Sequence, residues 1–151
     1  MIKLAGKYAA KHGFSAAFSH ADMRELPFAD NYFDYAIAVA SLHHLPGQKE
    51  QLKAVSELKR VLKPGGEAFV TVWNYAQPRF WGKPKELLIP WRSKDGVVDR
   101  YYYLFSYKEI EKLVKRAGFN LLRSLPERSY RFPIKMFSRN ICLHISKSPE
   151  C

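Results

Sequence analysis

Residues 33–73 read FDYAIAVASLHHLPGQKEQLKAVSELKRVLKPGGEAFVTVW, and the order of elements within them predicts the fold class. Phe33–Ser41 is a nearly continuous apolar run, which is typical of a buried strand in a parallel sheet. The apolar residues that follow recur every three or four positions, which predicts a helix ending at the Lys-Pro-Gly-Gly of residues 63–66. Glu67–Trp73 then predicts a second strand. A strand, a helix and a strand in this order indicate an α/β fold with a right-handed crossover.

Further elements are predicted on both sides of this unit. The apolar spacing of residues 2–9 predicts an opening helix, and the short apolar run Phe14–Ser19 predicts a strand. Ser106 and Glu109 form a capping-box pattern that starts a helix, for which Gly118 is the expected stop. The chain is expected to close with two antiparallel strands, Phe119–Leu125 and Asn140–Ser146.

Composition limits the classes of protein that this chain can represent. With 151 residues, 47% of them apolar, the chain can form one core, so we expect a single domain over residues 1–151. Apolar runs are too short to span a membrane, which predicts a soluble protein. Cys142 and Cys151 lack the spacing of a zinc site and are too few for a disulfide scaffold, so we expect no metal and a cytoplasmic setting.

Positive charge is concentrated in the second half of the chain. Residues 1–75 carry a net charge of +2, whereas residues 76–151 carry +9. Residues 74–105 lack clear periodicity and hold eight aromatic and six basic residues, which predicts an insertion with a function of its own. Aromatic rings and cations together favour a nucleic-acid partner over a membrane. The alternative is a lysine-rich surface that is simply solvated.

A set of short motifs accompanies the predicted elements. They are Ala21-Asp22-Met23, Phe33-Asp34, His43-His44 and Leu62-Lys63-Pro64-Gly65-Gly66. In this order they resemble the class I S-adenosylmethionine-dependent methyltransferases. A second set is Ile37–Leu45 (IAVASLHHL), the strand ending at Trp73, Pro90-Trp91 and Arg100–Phe105 (RYYYLF). This second set is similar to the tRNA wobble-uridine carboxymethyl methyltransferases.

The resemblance implies a Rossmann-like class I methyltransferase fold with the strand order 3-2-1-4-5-7-6 and S-adenosylmethionine as its cofactor. It implies that Asp22 accepts a hydrogen bond from the adenine amino group, and that the backbone N–H of Met23 serves a ring nitrogen. Ala40, at the end of the predicted strand, is expected to contact the cofactor too. The alternative for Asp22 is a helix N-cap or a loop acid.

The implied reaction is methyl transfer to the carboxylate of a carboxymethyl-modified wobble uridine in tRNA. A carboxylate is ionised near neutral pH, so the reaction needs positioning rather than a general base. His43 and His44 follow a predicted strand, where doubly wound sheets bind ligands, and we expect them to act with Arg100 and Tyr101. Adjacent side chains point in different directions, so one histidine should line the site; the sequence leaves open which one.

The aromatic and basic insertion is expected to bind the tRNA anticodon loop. Rings can stack on unpaired bases while cations meet phosphates. The candidate substrate contacts are Trp73, Trp91, Arg92 and Tyr103. Packing over the sheet is instead expected for Tyr102, Leu104 and Phe105. Family members of this kind work with a small zinc-binding activator, which makes such a protein a candidate partner.

Residues 1–151 contain no glycine-rich GxGxG-like turn, and the first two strands of the family fold are missing. The strand at Phe33–Ser41 should therefore be an exposed apolar edge. The explanations are a C-terminal fragment, a chain completed by another polypeptide, or a decayed relative that retains RNA binding. We expect weak or no activity from the chain alone. The alternative functions are a small-molecule methyltransferase and a non-catalytic RNA-binding or interaction module.

Overall fold

The computed structural model describes residues 2–93, 96–127 and 138–149. The helices are α1 (Ile2–Lys11), α2 (Gly47–Val61) and α3 (Tyr107–Arg116). The strands are β1 (Phe33–Val39), β2 (Leu62–Trp73), β3 (Glu86–Ser93), β4 (Gly96–Tyr103), β5 (Phe119–Pro126) and β6 (Asn140–Lys147). Short 3-10 helices lie at Leu42–His44 and Pro78–Phe80. Within these described residues, no helix is both long enough and apolar enough to cross a bilayer.

Four strands form the main sheet in the order β1-β2-β6-β5. β1 runs parallel to β2, with Ile37 opposite Phe69, whereas β6 is antiparallel to both β2 and β5. This order matches the 4-5-7-6 portion of the class I methyltransferase sheet. The structure therefore confirms the α/β, Rossmann-like fold and the antiparallel closing pair.

Helices α2 and α3 cover one face of this sheet. Their apolar residues meet alternate residues of β2 and β6, which follow the two-residue period of a strand with one buried face. The fully buried members of this core include Val70, Val72, Ile110, Val114, Ile141, Leu143 and Ile145. The capping box of α3 forms as predicted, because Ser106 Oγ accepts from the Glu109 N–H and Glu109 accepts from the Ser106 N–H.

The opposite face of β1 is uncovered in the described part of the chain. Tyr35, Ile37 and Val39 are 74%, 73% and 60% exposed. β1 also lies at the end of the sheet, so its outer edge pairs with no described strand. The expected exposed apolar edge is therefore present.

Three local features differ from the sequence expectation. Phe14–Ser19 is irregular and exposed, because none of the described strands lies beside it to complete a ladder. Residues 74–105 contain the antiparallel hairpin β3–β4, which their irregular apolar pattern did not predict. β2 begins at Leu62, and the glycine turn lies within it as an irregularity. Gly65 has a φ of +76°, and a Cβ on Gly66 would lie 2.8 Å from the Lys63 carbonyl oxygen, so both positions need glycine.

Candidate functional site

A strained turn at Ala40 ends β1 and leads into the histidine pair. Ala40 has a φ of +50°, in the left-handed region that residues with a Cβ avoid. Its N–H donates to the carbonyl oxygen of Thr71 at 3.2 Å and to Thr71 Oγ1 at 3.0 Å, which holds the turn against β2. Strain of this kind persists where surrounding contacts enforce it, and it is common at functional sites.

His43 is the packed member of the pair. It is 1% exposed, and its Nδ1 accepts a hydrogen bond from the Trp73 backbone N–H at 3.3 Å. Because Nδ1 is the acceptor, the ring proton of the neutral form resides on Nε2. Burial, with a smaller contribution from His44, lowers the pKa of His43 to about 3. His43 is therefore neutral at physiological pH and serves as a polar member of an aromatic cluster.

That cluster joins the ends of three elements. The Tyr102 and Trp73 rings stack with centroids 4.3 Å apart and an interplanar angle of 19°. The rings of His43 and Tyr102 are also stacked, 5.4 Å apart. Tyr102, Leu104 and Phe105 are buried, as the sequence predicted for them. The cluster fixes the end of β4 against the ends of β1 and β2, because stacked rings favour a narrow range of geometries.

His44 is the member of the pair that is available to a ligand. It is half-buried, and its Nδ1 lies 2.9 Å from the Tyr101 carbonyl oxygen. A carbonyl can only accept, so Nδ1 carries the proton and donates it. Nε2 has no hydrogen-bond partner among the described residues. The structure thus separates the two histidines, with His43 packed and His44 presenting one ring nitrogen.

The other two predicted catalytic residues follow one another on β4 but have different environments. Tyr101 contributes its backbone carbonyl to His44, while its hydroxyl is buried without a well-formed hydrogen bond in the described chain. Burial and the Glu86 carboxylate raise the pKa of Tyr101. The Arg100 guanidinium instead lies over the Trp91 ring, 4.2 Å from its centroid. The structure therefore brings His44 to the Tyr101 backbone and places Arg100 on the exposed hairpin.

The predicted substrate contacts also separate into two groups. Trp91 and Arg92 are both exposed on β3, where a large ligand could reach them. Tyr103, in contrast, is buried, and its hydroxyl donates to Glu109 Oε1 at 3.3 Å. Burial and the Glu109 charge raise the pKa of Tyr103 to about 12. The end of β4 thus enters the core beside α3, and the substrate role of Tyr103 stays a prediction.

Asp22 and Met23 lie at the end of an apolar groove beside β1. The Arg24 guanidinium donates to the Asp22 carboxylate at 2.6–3.1 Å, and the Arg24 backbone N–H donates to it at 2.9 Å. The backbone contact forms an Asx-type turn. These bonds lower the pKa of Asp22 to about 2. The groove has a volume of about 290 Å³, and its lining includes Met23, Leu26, Ile37, Ala38 and Ser41.

These residues fit one end of S-adenosylmethionine. A fixed, exposed carboxylate can accept from the adenine amino group, and the adjoining apolar groove suits a flat base. Ala40 lies between Val39 and Ser41, and of these Ser41 lines the groove. Residues 1–151 contain no glycine-rich turn to approach the remainder of the cofactor. These residues suit the adenine end of the cofactor only as a prediction, and the contact of Asp22 with Arg24 is also what its alternative role as a loop acid would give.

Arg79 lies beside the aromatic cluster, although no motif in the sequence marked it. Its guanidinium lies 4.6 Å from the Trp73 ring centroid and 4.5 Å from that of Phe80. The available signal was an arginine placed directly before an aromatic residue and shortly after the end of β2. Arg128, Arg131 and Lys135, which lie between the last two strands in the sequence, are outside the described residues.

Comparison with known proteins agrees with this geometry. Residues 1–70 match the family described as Methyltransferase domain. A crystal structure of a SAM-dependent methyltransferase from Methanosarcina mazei superposes with a TM-score of 0.79 at 22% identity, covering 99% of this chain and 78% of that one. This chain has the class I methyltransferase fold. S-adenosylmethionine, the cofactor expected from the sequence, is confirmed as the cofactor of the family that the chain resembles.

Relatives acting on tRNA provide the more specific similarity. The chain is 29% identical over 126 residues to the Schizosaccharomyces pombe tRNA (carboxymethyluridine(34)-5-O)-methyltransferase, covering 67% of this chain and 55% of that protein. It is 47% identical over 57 residues to the Arabidopsis thaliana enzyme of the same name, covering 38% of this chain and 14% of that protein. The chain thus spans about half the length of the fission yeast relative.

Proposed function

We propose that this chain provides the substrate-facing part of an enzyme that methylates the carboxylate of a carboxymethyl-modified wobble uridine in tRNA. Residues 1–151 would form one partial methyltransferase domain. The observation that carries the proposal is His44, which the Tyr101 carbonyl orients at the carboxyl end of β1 with Nε2 available. The similarity to two tRNA methyltransferases supports the choice of substrate.

The residues of the chain suit a reaction that depends on positioning. S-adenosylmethionine, when bound, supplies a methyl group from its sulfonium. A carboxylate nucleophile carries no proton to remove, so the protein must hold it in line and exclude competing contacts. With a proton on both ring nitrogens, His44 would donate from Nε2 to the oxygen that does not react, while Nδ1 donates to the Tyr101 carbonyl. His43, neutral and buried, leaves that carboxylate free of a second cationic partner.

The hairpin β3–β4 supplies a surface suited to an anticodon loop. Trp91 is 47% exposed, and Arg100 covers one side of its ring. Arg92 is exposed next to it. An unstacked base can lie on an exposed aromatic ring while arginines meet nearby phosphates. We therefore infer a tRNA-binding role in tRNA processing, in the cytoplasm.

The test compares three anticodon stem-loops that carry 5-carboxymethyluridine, its methyl ester or uridine at the wobble position. Fluorescence anisotropy measures the Kd of each for the 151-residue chain. The acid should bind roughly tenfold more tightly than the ester, since one hydrogen bond to a charged group contributes about 1.5 kcal/mol. His44→Ala should abolish this preference. His20→Ala, which removes an exposed histidine from an irregular segment, is the matched control and should retain it.

Each other outcome supports a different function. Tight RNA binding with equal affinity for all three stem-loops would favour a non-catalytic RNA-binding module. Weak RNA binding, combined with methylation of a small acceptor by labelled S-adenosylmethionine, would favour a small-molecule methyltransferase. Transfer to the carboxymethyl stem-loop is expected to be slow for this chain, because it lacks the glycine-rich turn.

We also propose that a further segment covers the exposed side of β1 in the working enzyme. The candidates are a chain supplying the strand–glycine turn–strand unit and a small zinc-binding activator. The exposed apolar residues Tyr35, Ile37 and Val39 support this proposal, since contiguous apolar surface marks interaction sites. Hydrogen exchange of residues 33–39 should slow on mixing with the true partner, and unchanged exchange would reject that partner.

A further inference from the structure

A second cavity opens at the end of β2, on the far side of Trp73 from Tyr102. Its volume is about 400 Å³, and its lining residues are Trp73, Gln77, Arg79, Arg139 and Asn140. Two of these five residues are arginines. Across residues 2–93, 96–127 and 138–149, no carboxylate forms an ion pair with either guanidinium. The cavity therefore concentrates positive charge that the described protein does not neutralise.

Arg79 is held against two aromatic rings at this cavity. Its guanidinium carbon lies 4.6 Å from the Trp73 ring centroid and 4.5 Å from that of Phe80. A guanidinium that packs against aromatic rings can still use its in-plane N–H groups for hydrogen bonds to an anion. Burial, together with the charge of Arg139, lowers the pKa of Arg79. Two cations held this close repel each other, and an anion bound between them would relieve that repulsion.

Arg139 is anchored to the same structure through its backbone. Its carbonyl oxygen accepts from the Asn74 N–H at 3.0 Å and from Gln77 Nε2 at 2.8 Å. The adjacent Asn140 lies opposite Trp73 in the β2–β6 ladder and donates its amide to Glu127. The nearby acid is thus engaged by Asn140. Both arginines therefore extend from parts of the chain fixed by ladder or turn hydrogen bonds.

We propose that Arg79 and Arg139 bind a phosphodiester group of RNA, next to the nucleotide that reaches His44. The proposal rests on the proposed function, because it assumes an RNA substrate. Trp73 connects the two places, since it borders this cavity and stacks on Tyr102, whose ring also contacts His44. Two guanidinium forks match the oxygens of a phosphate, and the net charge of +9 in residues 76–151 favours a polyanion.

The test uses the unmodified anticodon stem-loop, so its outcome does not depend on recognition of the carboxymethyl group. Its Kd for the 151-residue chain is measured over a range of salt concentrations. Arg79→Gln should weaken binding roughly tenfold and reduce the log–log salt slope by about 0.7, the value for one lost contact to single-stranded phosphate. Arg139→Gln should act in the same direction. Lys112→Gln, an equal charge change at an exposed position of α3, is the control and should change the slope little.

Two further experiments locate the contact between Arg79 and the RNA phosphate. Arg79→Lys keeps the charge and loses the planar fork, so we expect a smaller loss of affinity with an unchanged slope. Replacing single phosphates of the stem-loop by neutral methylphosphonates should reveal one position that weakens the wild type but not Arg79→Gln. Equal slopes for the wild type and Arg79→Gln, or an equal loss in Lys112→Gln, would overturn the proposal. If Arg79→Gln lowers the salt slope as expected but the chain has no preference for the carboxymethyl stem-loop, the phosphate site is supported and only the proposed function is contradicted.

Discussion

β1 and β6 both pair with β2, yet they meet very different surroundings. Ile141, Leu143 and Ile145 of β6 are fully buried beneath α3 and between two strands. Ile37 and Val39 of β1 are equally apolar, but they lie on an uncovered face at the end of the sheet. The free energy gained from an apolar side chain depends on the area removed from water, so similar residues contribute differently.

The largest expected effect compares one leucine of β6 with one isoleucine of β1. Leu143→Ala should lower the free energy of unfolding by about 3 kcal/mol, through lost burial and the cavity that remains. Ile37→Ala should cost less than about 0.5 kcal/mol, since the side chain is already exposed. Urea denaturation measures both values. Similar losses for the two variants would show that β1 is covered in solution.

A second prediction concerns His43, where the chain leaves β1 and enters the core. The pKa of His43 is about 3 in the folded protein and 6.5 for an unperturbed histidine. Between pH 3 and pH 6.5 the unfolded chain therefore binds one more proton than the folded chain. Stability should therefore decrease as the pH falls below about 6.5, by up to about 1.4 kcal/mol per pH unit. Urea denaturation at several pH values measures this slope.

The His43 slope can be assigned with two variants. His43→Gln keeps an acceptor for the Trp73 N–H but cannot titrate, so most of the slope should disappear. His20→Ala removes an exposed histidine and should leave the slope in place. A slope that persists unchanged in His43→Gln would mean that His43 is solvated.

A third, smaller effect is expected at the strained end of β1. Ala40→Gly should raise the free energy of unfolding by about 0.5–1 kcal/mol, since glycine adopts a φ of +50° without a Cβ clash. The matched control is Ala36→Gly, three residues into the regular part of β1. There the substitution should lower stability by about 0.5–1 kcal/mol, because glycine loses more conformational entropy. The same sign for both variants would contradict a strained Ala40.

The smallest expected effect on stability comes from charging the exposed side of β1. Ile37→Lys should leave the urea midpoint nearly unchanged, whereas Leu143→Lys should prevent folding. A lysine on an exposed edge strand opposes edge-to-edge aggregation. The concentration at which the chain precipitates should therefore rise for Ile37→Lys. Unchanged precipitation would indicate that another surface causes aggregation.

Local sequence signals predicted those elements whose cause is local. Ser106 and Glu109 start α3 through contacts within one helical turn, and the apolar run from Phe33 forms β1. Phe14–Ser19 does not form the predicted strand. A strand needs a neighbouring strand for its hydrogen bonds, and a local apolar pattern does not indicate whether one is present. The β3–β4 hairpin was missed because both of its faces are largely exposed, so no apolar alternation marks it.

The candidate site, like the fold, was predicted by local sequence signals only in part. The motif His43-His44 lies where the sequence placed it, after the carboxyl end of a parallel strand. Which histidine is packed follows from the turn at Ala40, from the Trp73 N–H and from the Tyr101 carbonyl. Tyr103 is one of three consecutive tyrosines, so the sequence does not distinguish it from Tyr101 and Tyr102. The path of β4 between the sheet and α3 buries it.

The class of fold, the order of most elements, the exposed edge at β1 and the family resemblance followed from the sequence alone, because apolar period, glycine turns and short motifs specify them. Only the tertiary structure revealed the different surroundings of His43 and His44 and the meeting of Arg79 with Arg139. These features join residues 30 to 60 positions apart in the chain. Their geometry depends on strand pairing and packing, which local patterns do not specify.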